Sequence, residues 1–361
     1  MAEDASLSNA SPEIFFDDVP KGAKYDPELH AQNDAFLVGS NGVCLLKRTG
    51  PASFEDVTAT AGLSSVSGRR AQWVDYDHDG DVDLAIASEA GLQLWQNNGS
   101  VTFANVTQQV GLDGGTSATD VAAVDLDSNV AIDLIAARGA SPTLVFMNQR
   151  AGRFAKMPEP PGPWPPARRV LADDLDNDGH PDALLLAEKQ ATVLFGQRGE
   201  RKQLDVSSWE KPVAALVDFD NDGWLEVCVV GAKSGENTRG VIKSWRNTGA
   251  GHWTEATSAT GLSSIDLPPV REIIPADFDN DGDTDLMLLA ADGRLHFLRN
   301  DGGNANAQLK LRLVGNKTNP TGLGARVEIR AGEFRAARSV RALPVEIGVG
   351  PVKQLDSVQT V

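Results

Sequence analysis

The chain has 361 residues, with 33 Lys and Arg against 50 Asp and Glu, a formal charge of −17, and 35 Gly, 19 Pro and 2 Cys. The acidic surplus argues against a nucleic-acid partner, because phosphates reward Lys and Arg, and no 18-residue apolar run offers a membrane-spanning helix. Cys44 and Cys228 lie in apolar, strand-like runs and read as buried free thiols, too few for a disulfide framework and silent about compartment.

Residues 1–13 carry neither a basic n-region nor an apolar h-region, so no signal peptide is visible and the segment is expected to be disordered. Next comes a strand-like piece, Ile14-Phe-Phe-Asp-Asp-Val19, expected to complete the last repeat and close a ring. A worn loop follows, with Asp26 and Asp34 at its first and ninth positions but His30 and Ala31 at the fifth and sixth, so no ion is expected there. The first full loop is Asp75-Tyr-Asp77-His-Asp79-Gly80-Asp81-Val-Asp83. The second, Asp125-Leu-Asp127-Ser-Asn129-Val130-Ala-Ile-Asp133, is degenerate because Val130 replaces the glycine. Three more follow: Asp174-Leu-Asp176-Asn-Asp178-Gly179-His180-Pro-Asp182, Asp218-Phe-Asp220-Asn-Asp222-Gly223-Trp224-Leu-Glu226 and Asp277-Phe-Asp279-Asn-Asp281-Gly282-Asp283-Thr-Asp285. Their starts lie 50, 49, 44 and 59 residues apart, the period of a repeat architecture.

The loop has a specific chemistry. Carboxylates at positions 1, 3, 5 and 9 repel one another unless a counter-charge gathers them. A hard divalent cation with six to eight oxygen ligands does so, and Ca²⁺ tolerates irregular geometry best. Glycine at position 6 permits the sharp turn, and position 7 (Asp81, His180, Trp224, Asp283) can add its backbone carbonyl. About four Ca²⁺ sites are therefore expected, with a fifth, degenerate one at Asp125, Asp127, Asn129 and Asp133. An EF-hand reading fails, because position 12 is Ile86, Leu185, Val229 or Leu288 instead of glutamate, and short apolar runs replace the flanking helix.

Each loop is trailed by an aromatic: Trp95, Phe146, Phe195 and Phe297 lie 20 or 21 residues after the first Asp. Trp245 lies 27 after its own, with 234–240 read as an inserted hairpin tip. These aromatics are expected to fill the core between repeats. Polar turns and strand-like pieces such as Phe54-Glu-Asp-Val-Thr58 and Phe103-Ala-Asn-Val-Thr107 complete units of about four strands. Four-stranded units repeated radially make an all-β propeller of about six blades, seven being the alternative, spanning 14–303. Residues 158–166 hold six prolines around Trp164 and read as a polyproline II surface loop. A small β domain is expected over 304–361.

The loop and its period resemble the FG-GAP/VCBS repeats of integrin α-chain propellers and their bacterial relatives, which implies Ca²⁺ at the matching positions. The tail, Leu309-Lys-Leu-Arg-Leu-Val314 with Gly322-Leu-Gly324-Ala325-Arg-Val-Glu-Ile-Arg330, resembles the ASPIC/UnbV domain found in bacterial relatives of cartilage acidic protein. It reads as two strands joined by a Gly-rich turn, with Val345–Gly350 and Leu355–Val358 as later strands. The family continues into a Trp-Pro-x-Gly-like stretch beyond Val361, so an incomplete domain is expected. The resemblance implies an extracellular or periplasmic protein.

No catalytic constellation stands out. His30, His78, His180, His252 and His296 form no metal-spaced pair, and neither G-x-S-x-G nor a phosphate-cradling loop is present. The leading reading is a non-enzymatic, monomeric, calcium-binding scaffold for adhesion or ligand binding, with a protein or glycan partner on a propeller face. The alternative is a calcium-stabilised polysaccharide lyase or hydrolase, or a lectin. Arg69-Arg70 and Arg168-Arg169, each just ahead of an acidic loop, are the candidates for holding an anion. The four full loops hold 18 of the 50 acids and no Lys or Arg, so outside them 32 acids face 33 bases. The charge of −17 is thus a set of local clusters on a nearly neutral body, and four Ca²⁺ would bring it to −9.

Overall fold

Each acidic loop ends where a short apolar run begins, and each such run becomes the second strand of an antiparallel sheet. The computed structural model describes residues 15–17, 34–50, 53–112, 117–150, 152–157, 164–196, 199–207, 209–233, 239–249, 251–302, 306–313, 322–341 and 344–360. The first sheet holds β1 (Phe15–Asp17), β2 (Asp34–Gly39), β3 (Gly42–Gly50) and β4 (Ser53–Asp56). The second holds β5 (Arg70–Val74), β6 (Asp83–Ser88), β7 (Gly91–Asn97) and β8 (Phe103–Asn105). The third holds β9 (Asp120–Val124), β10 (Asp133–Arg138), β11 (Ser141–Asn148) and β12 (Phe154–Lys156). In the fourth are β13 (Arg169–Asp173), β14 (Asp182–Leu186), β15 (Ala191–Leu194) and β16 (Arg201–Leu204). The fifth contains β17 (Trp209–Val217), β18 (Glu226–Lys233), β19 (Gly240–Asn247) and β20 (Trp253–Glu255). Among the described residues the sixth has three strands, β21 (Val270–Ala276), β22 (Asp285–Ala290) and β23 (Leu295–Leu298).

The sheets pack face to face around an axis, as blades of an all-β propeller. Second strands such as β6 and β10 read as continuous apolar runs because each sheet is covered on both faces. Five hydrophobic clusters fill the successive interfaces from the first blade to the sixth. All six blades contribute residues to the lining of one central funnel.

A C-terminal module follows. β24 (Gln308–Leu311) pairs with β27 (Val345–Gly348), while β25 (Arg326–Ala331) lies between β26 (Phe334–Ser339) and β28 (Ser357–Thr360). These strands enclose a core of Val327, Ile329, Val340 and Ile347.

Four expectations need correction. The N-terminal strand does not complete the last blade: β1 pairs with β2, and Asp17 stands opposite Asp34. That register matches Val74 opposite Asp83 and Val124 opposite Asp133, so Asp34 holds the ninth position, while Asp26, His30 and Ala31 lie outside the described residues. The sixth blade has three strands in place of four among the described residues. Phe297 is 49% exposed, whereas Phe146, Phe195 and Trp245 are buried between blades and Trp95 is half-buried there. Register and cover decide this: Trp95, Phe146 and Trp245 face the residue after position 9, whereas Leu194 and Leu298 take that place in the fourth and sixth blades and turn Phe195 and Phe297 to the opposite face, where Phe195 is buried against the fifth blade and Phe297 stays exposed. Finally, β24 and β25 do not form a hairpin but belong to different sheets, and β26 is an additional strand beside β25.

Cys44 and Cys228 are free thiols, as expected, the first half-buried and the second buried. Residues 1–13, most of the proline run (158–163) and 234–238 lie outside the described residues. Trp164 packs on the interface of the third and fourth blades.

Candidate metal centres

Each acidic loop joins the first strand of its blade to the second and makes two left-handed turns. Position 4 takes positive φ in His78, Ser128, Asn177, Asn221 and Asn280, and so does position 6 in the glycines. Val130 adopts φ 76° as well, so the degenerate loop keeps the turn and leaves its side chain 58% exposed.

This turn brings carboxylates 1, 3 and 9 together. The trios are Asp75, Asp77 and Asp83; Asp125, Asp127 and Asp133; Asp174, Asp176 and Asp182; Asp218, Asp220 and Glu226; and Asp277, Asp279 and Asp285. In each, one oxygen from every member lies within 4.8 Å of the others. The degenerate loop assembles the same trio as the full ones.

The three members have different partners. Position 9 is pinned by backbone: Asp83 accepts the N–H of Tyr76 at 3.3 Å and of Asn97 at 2.8 Å, and Asp133 those of Leu126 and Asn148 at 2.9 and 2.7 Å. Asp182, Glu226 and Asp285 repeat the pattern. Position 1 accepts the N–H groups of positions 5 and 6, as in Asp174 with Asp178 and Gly179 at 3.1 and 2.8 Å. At position 3, Asp77 Oδ1 and Asp220 Oδ1 are buried and accept no hydrogen bond among the described residues.

Positions 5 and 7 stand outside the trios. Asp79, Asp178, Asp222 and Asp281, like Asn129, accept the N–H of position 7 in a local turn. The side chains of position 7 turn to neighbours: His180 Nδ1 lies 3.5 Å from Ser128 Oγ, Asp283 accepts from Asn221 at 3.0 Å, and the Trp224 ring lies against Gly249. Asp81 lies against the Gly99 turn.

Burial without counter-charge disfavours the ionised carboxylates. It pushes Asp83 up to about 9, Asp133, Asp174 and Asp182 to about 7, and Asp218 to about 6, where Arg338 partly offsets it. Glu226, Asp285, Asp125, Asp77 and Asp220 are raised for the same reason. At Asp277 burial works in that direction too, but the Lys310 ammonium at 2.5 Å and the Gly282 N–H outweigh it and the carboxyl is lowered. Oxygen-only donors, a shared focus and orphaned buried oxygens fit a hard divalent cation.

Cations of the chain answer some loops, which sequence spacing did not reveal. Arg246 contacts Asp220 at 2.5 Å and Asp222 at 3.2 Å, and Arg299 lies 3.8 Å from Asp279. In the second blade the equivalent residue is the neutral Gln96, donating to Asp77 at 2.7 Å. The C-terminal module adds more. Arg338 sits 3.4 Å from Asp218 and Arg341 pairs with Asp173 at 2.9 Å, so the module covers the acidic-loop end of the propeller. Gly348 is required there, because a Cβ would stand 2.3 Å from Asp218 Oδ2.

No curated protein matches the chain in sequence. Among solved structures, an Agrocybe aegerita lectin described as recognising non-reducing terminal N-acetylglucosamine aligns at 17% identity and TM-score 0.51, covering 82% of this chain and 83% of that one. BBS1N, solved in complex with ARL6DN, aligns at 12% identity and TM-score 0.46 over 93% of this chain and 100% of that one. The SapL1 lectin, solved with alpha methyl fucoside, aligns at 9% identity and TM-score 0.42 over 71% and 84%. At 17% identity the first likeness speaks for the fold alone. Residues 75–136 and 218–288 match the FG-GAP-like repeat, and both stretches lie within the all-β propeller.

Proposed function

We propose that the protein is a non-enzymatic, calcium-stabilised propeller that works outside the cell as an adhesion or ligand-binding scaffold. The observation that carries this reading is the recurrence of one carboxylate trio, with oxygens within 4.8 Å, at the same register position of five blades. Ca²⁺ held by positions 1, 3 and 9, with positions 5 and 7 completing the shell, ties the first strand of each blade to the second and third. At free Ca²⁺ about 100 times Kd, each independent site adds about 2.7 kcal/mol to stability.

FG-GAP-like repeats support the extracellular placement. No described helix is long and apolar enough to cross a membrane. The partner is a protein or glycan on a propeller face; a lectin shares the fold, which makes the glycan the first class to test. The C-terminal module is read as ASPIC/UnbV-like. Calorimetric titration with Ca²⁺ and Mg²⁺, beside melting curves in chelator, tests the metal reading. Saturable Ca²⁺ binding and a higher melting temperature are expected; no heat and an unchanged melting temperature would sink it.

A further inference from the structure

At the end of the propeller opposite the acidic loops, all six sheets surround a funnel of about 840 Å³. Register resolves two rings in it. Arg70, Asp120, Arg169, Val213 and Glu272 stand opposite Ala87, Ala137, Leu186, Val230 and Leu289, which in these five blades lie four residues past position 9; Arg70, Arg169 and Val213 line the funnel, and Asp120 and Glu272 contact Arg169. The charges of this inner ring cancel. Glu272 accepts from Arg169 at 2.7 Å through both oxygens and also from Arg70, while Asp120 lies 3.9 Å from Arg169 and accepts the Val170 N–H at 2.9 Å.

One residue nearer the mouth, the second, fourth and sixth blades each present an arginine: Arg69, Arg168 and Arg271. Lys211 joins them from a bulge in β17, held at φ 48°, while Glu89 and Glu210 are the acidic residues of the lining. Arg69 pairs with Glu89, and Arg168 lies 3.4 Å from Glu188, both acids being well exposed. Such exposed pairs are weak and exchangeable. The matching position in the sixth blade is Ala291, and among the described residues neither Arg271 nor Lys211 has an acidic partner.

We propose that this funnel binds the oxyanion groups, sulfate or carboxylate, of an acidic saccharide. Guanidinium groups grip such groups bidentately, and cations converging on a concave site focus the field within it. The neutral inner ring gives a rigid floor. A single oxyanion would leave most of the volume to water, whereas charges spread along a sugar chain reach arginines on alternate blades. The size lies within the range of small-ligand sites. This inference rests on the scaffold reading but not on metal in the loops, which lie at the other end.

The test titrates the full chain with a sulfated disaccharide, its unsulfated counterpart and inorganic sulfate, at two salt concentrations. The sulfated sugar is expected to bind, more weakly in higher salt, and the unsulfated one not to bind. Arg168→Gln with Arg271→Gln should weaken binding at least about tenfold without changing the melting temperature. Arg330→Gln, on the C-terminal module, should leave binding unchanged. Undiminished binding in the double variant overturns the site, and inorganic sulfate binding as tightly as the disaccharide overturns the saccharide. Binding of the unsulfated sugar alone would leave the scaffold reading standing and sink this one; silence across a wide neutral and acidic glycan panel would take the glycan part of both.

Discussion

The third and ninth carboxylates of a loop look alike in the sequence and do different work. Asp83 is fully buried with both oxygens holding backbone N–H groups, so Asp83→Asn sets an amide donor against another donor. About 1–3 kcal/mol should be lost with or without calcium. Asp77 keeps one buried oxygen without a donor among the described residues. Asp77→Asn should therefore melt unchanged in chelator yet lose much of the stabilisation by Ca²⁺, with affinity at least about tenfold weaker, since ligand charge tunes affinity over decades. Equal effects of the two variants in chelator would contradict this division. The raised carboxyls set the pH response as well. Asp83 at about 9 and Asp133, Asp174 and Asp182 at about 7 lie above their ordinary 3.8, so between these values the folded state binds more protons than the unfolded. Their contribution is greatest below the ordinary value and is lost as pH rises through the folded ones. In chelator the melting temperature should fall from about pH 5 to 8, and saturating Ca²⁺ should flatten the fall. The ligand set was legible because its spacing is local. The answering cations were not, since Arg246 and Arg338 reach their aspartates across 24 and 120 residues.

At the scale of strands, the residue that joins one blade to the next is an asparagine that in the sequence looks like part of a turn. Asn148, ending β11, is fully buried and donates to Tyr76 O at 2.8 Å in the preceding blade and to Ile132 O at 3.3 Å in its own loop. Asn247 does the same toward Leu175 and Leu225, and Asn300 toward Phe219 and Thr284. Asn148→Ala leaves two buried carbonyls without this donor, at a cost of about 1–3 kcal/mol. A melting scan should show a drop of several degrees without loss of calcium stabilisation; an unchanged melting temperature would count against the linkage. Asn97-Asn-Gly99 and Asn247-Thr-Gly249 carried the signal, but turn chemistry offered a sufficient local reason for them. The aromatics show the same limit. Counting from the loop's start placed Phe297 one residue off, whereas counting back from the strand pairing puts Leu298 in the core. Period and apolar runs made the blades readable, while long-range pairing, as of β24 with β27, leaves no local trace.

At the scale of the molecule, the two ends of the propeller carry opposite chemistry. Acidic loops crowd one end and arginines the other, which the single figure of −17 conceals. The C-terminal module settles which end is covered. It lays Lys310 on Asp277 at 2.5 Å, Arg341 on Asp173 and the buried Arg338 beside Asp218, and Gly350 N–H donates to Asn221 O at 2.8 Å. A Ca²⁺ held in these loops would serve Asp218 and Asp277, the same carboxylates that the module's Arg338 and Lys310 answer, so each could compensate for the other's loss. Removing one partner of a buried ion pair leaves an uncompensated charge and costs about 3–5 kcal/mol. Arg338→Met should therefore lower the melting temperature sharply in chelator, and Ca²⁺ at the fifth blade should recover part of the loss by supplying the missing positive charge. The same drop in calcium and in chelator would mean that Arg338 acts through packing and its bonds to the Gly223 and Ala337 carbonyls alone. A smaller drop in calcium would show that the module reads the occupancy of the loops beneath it.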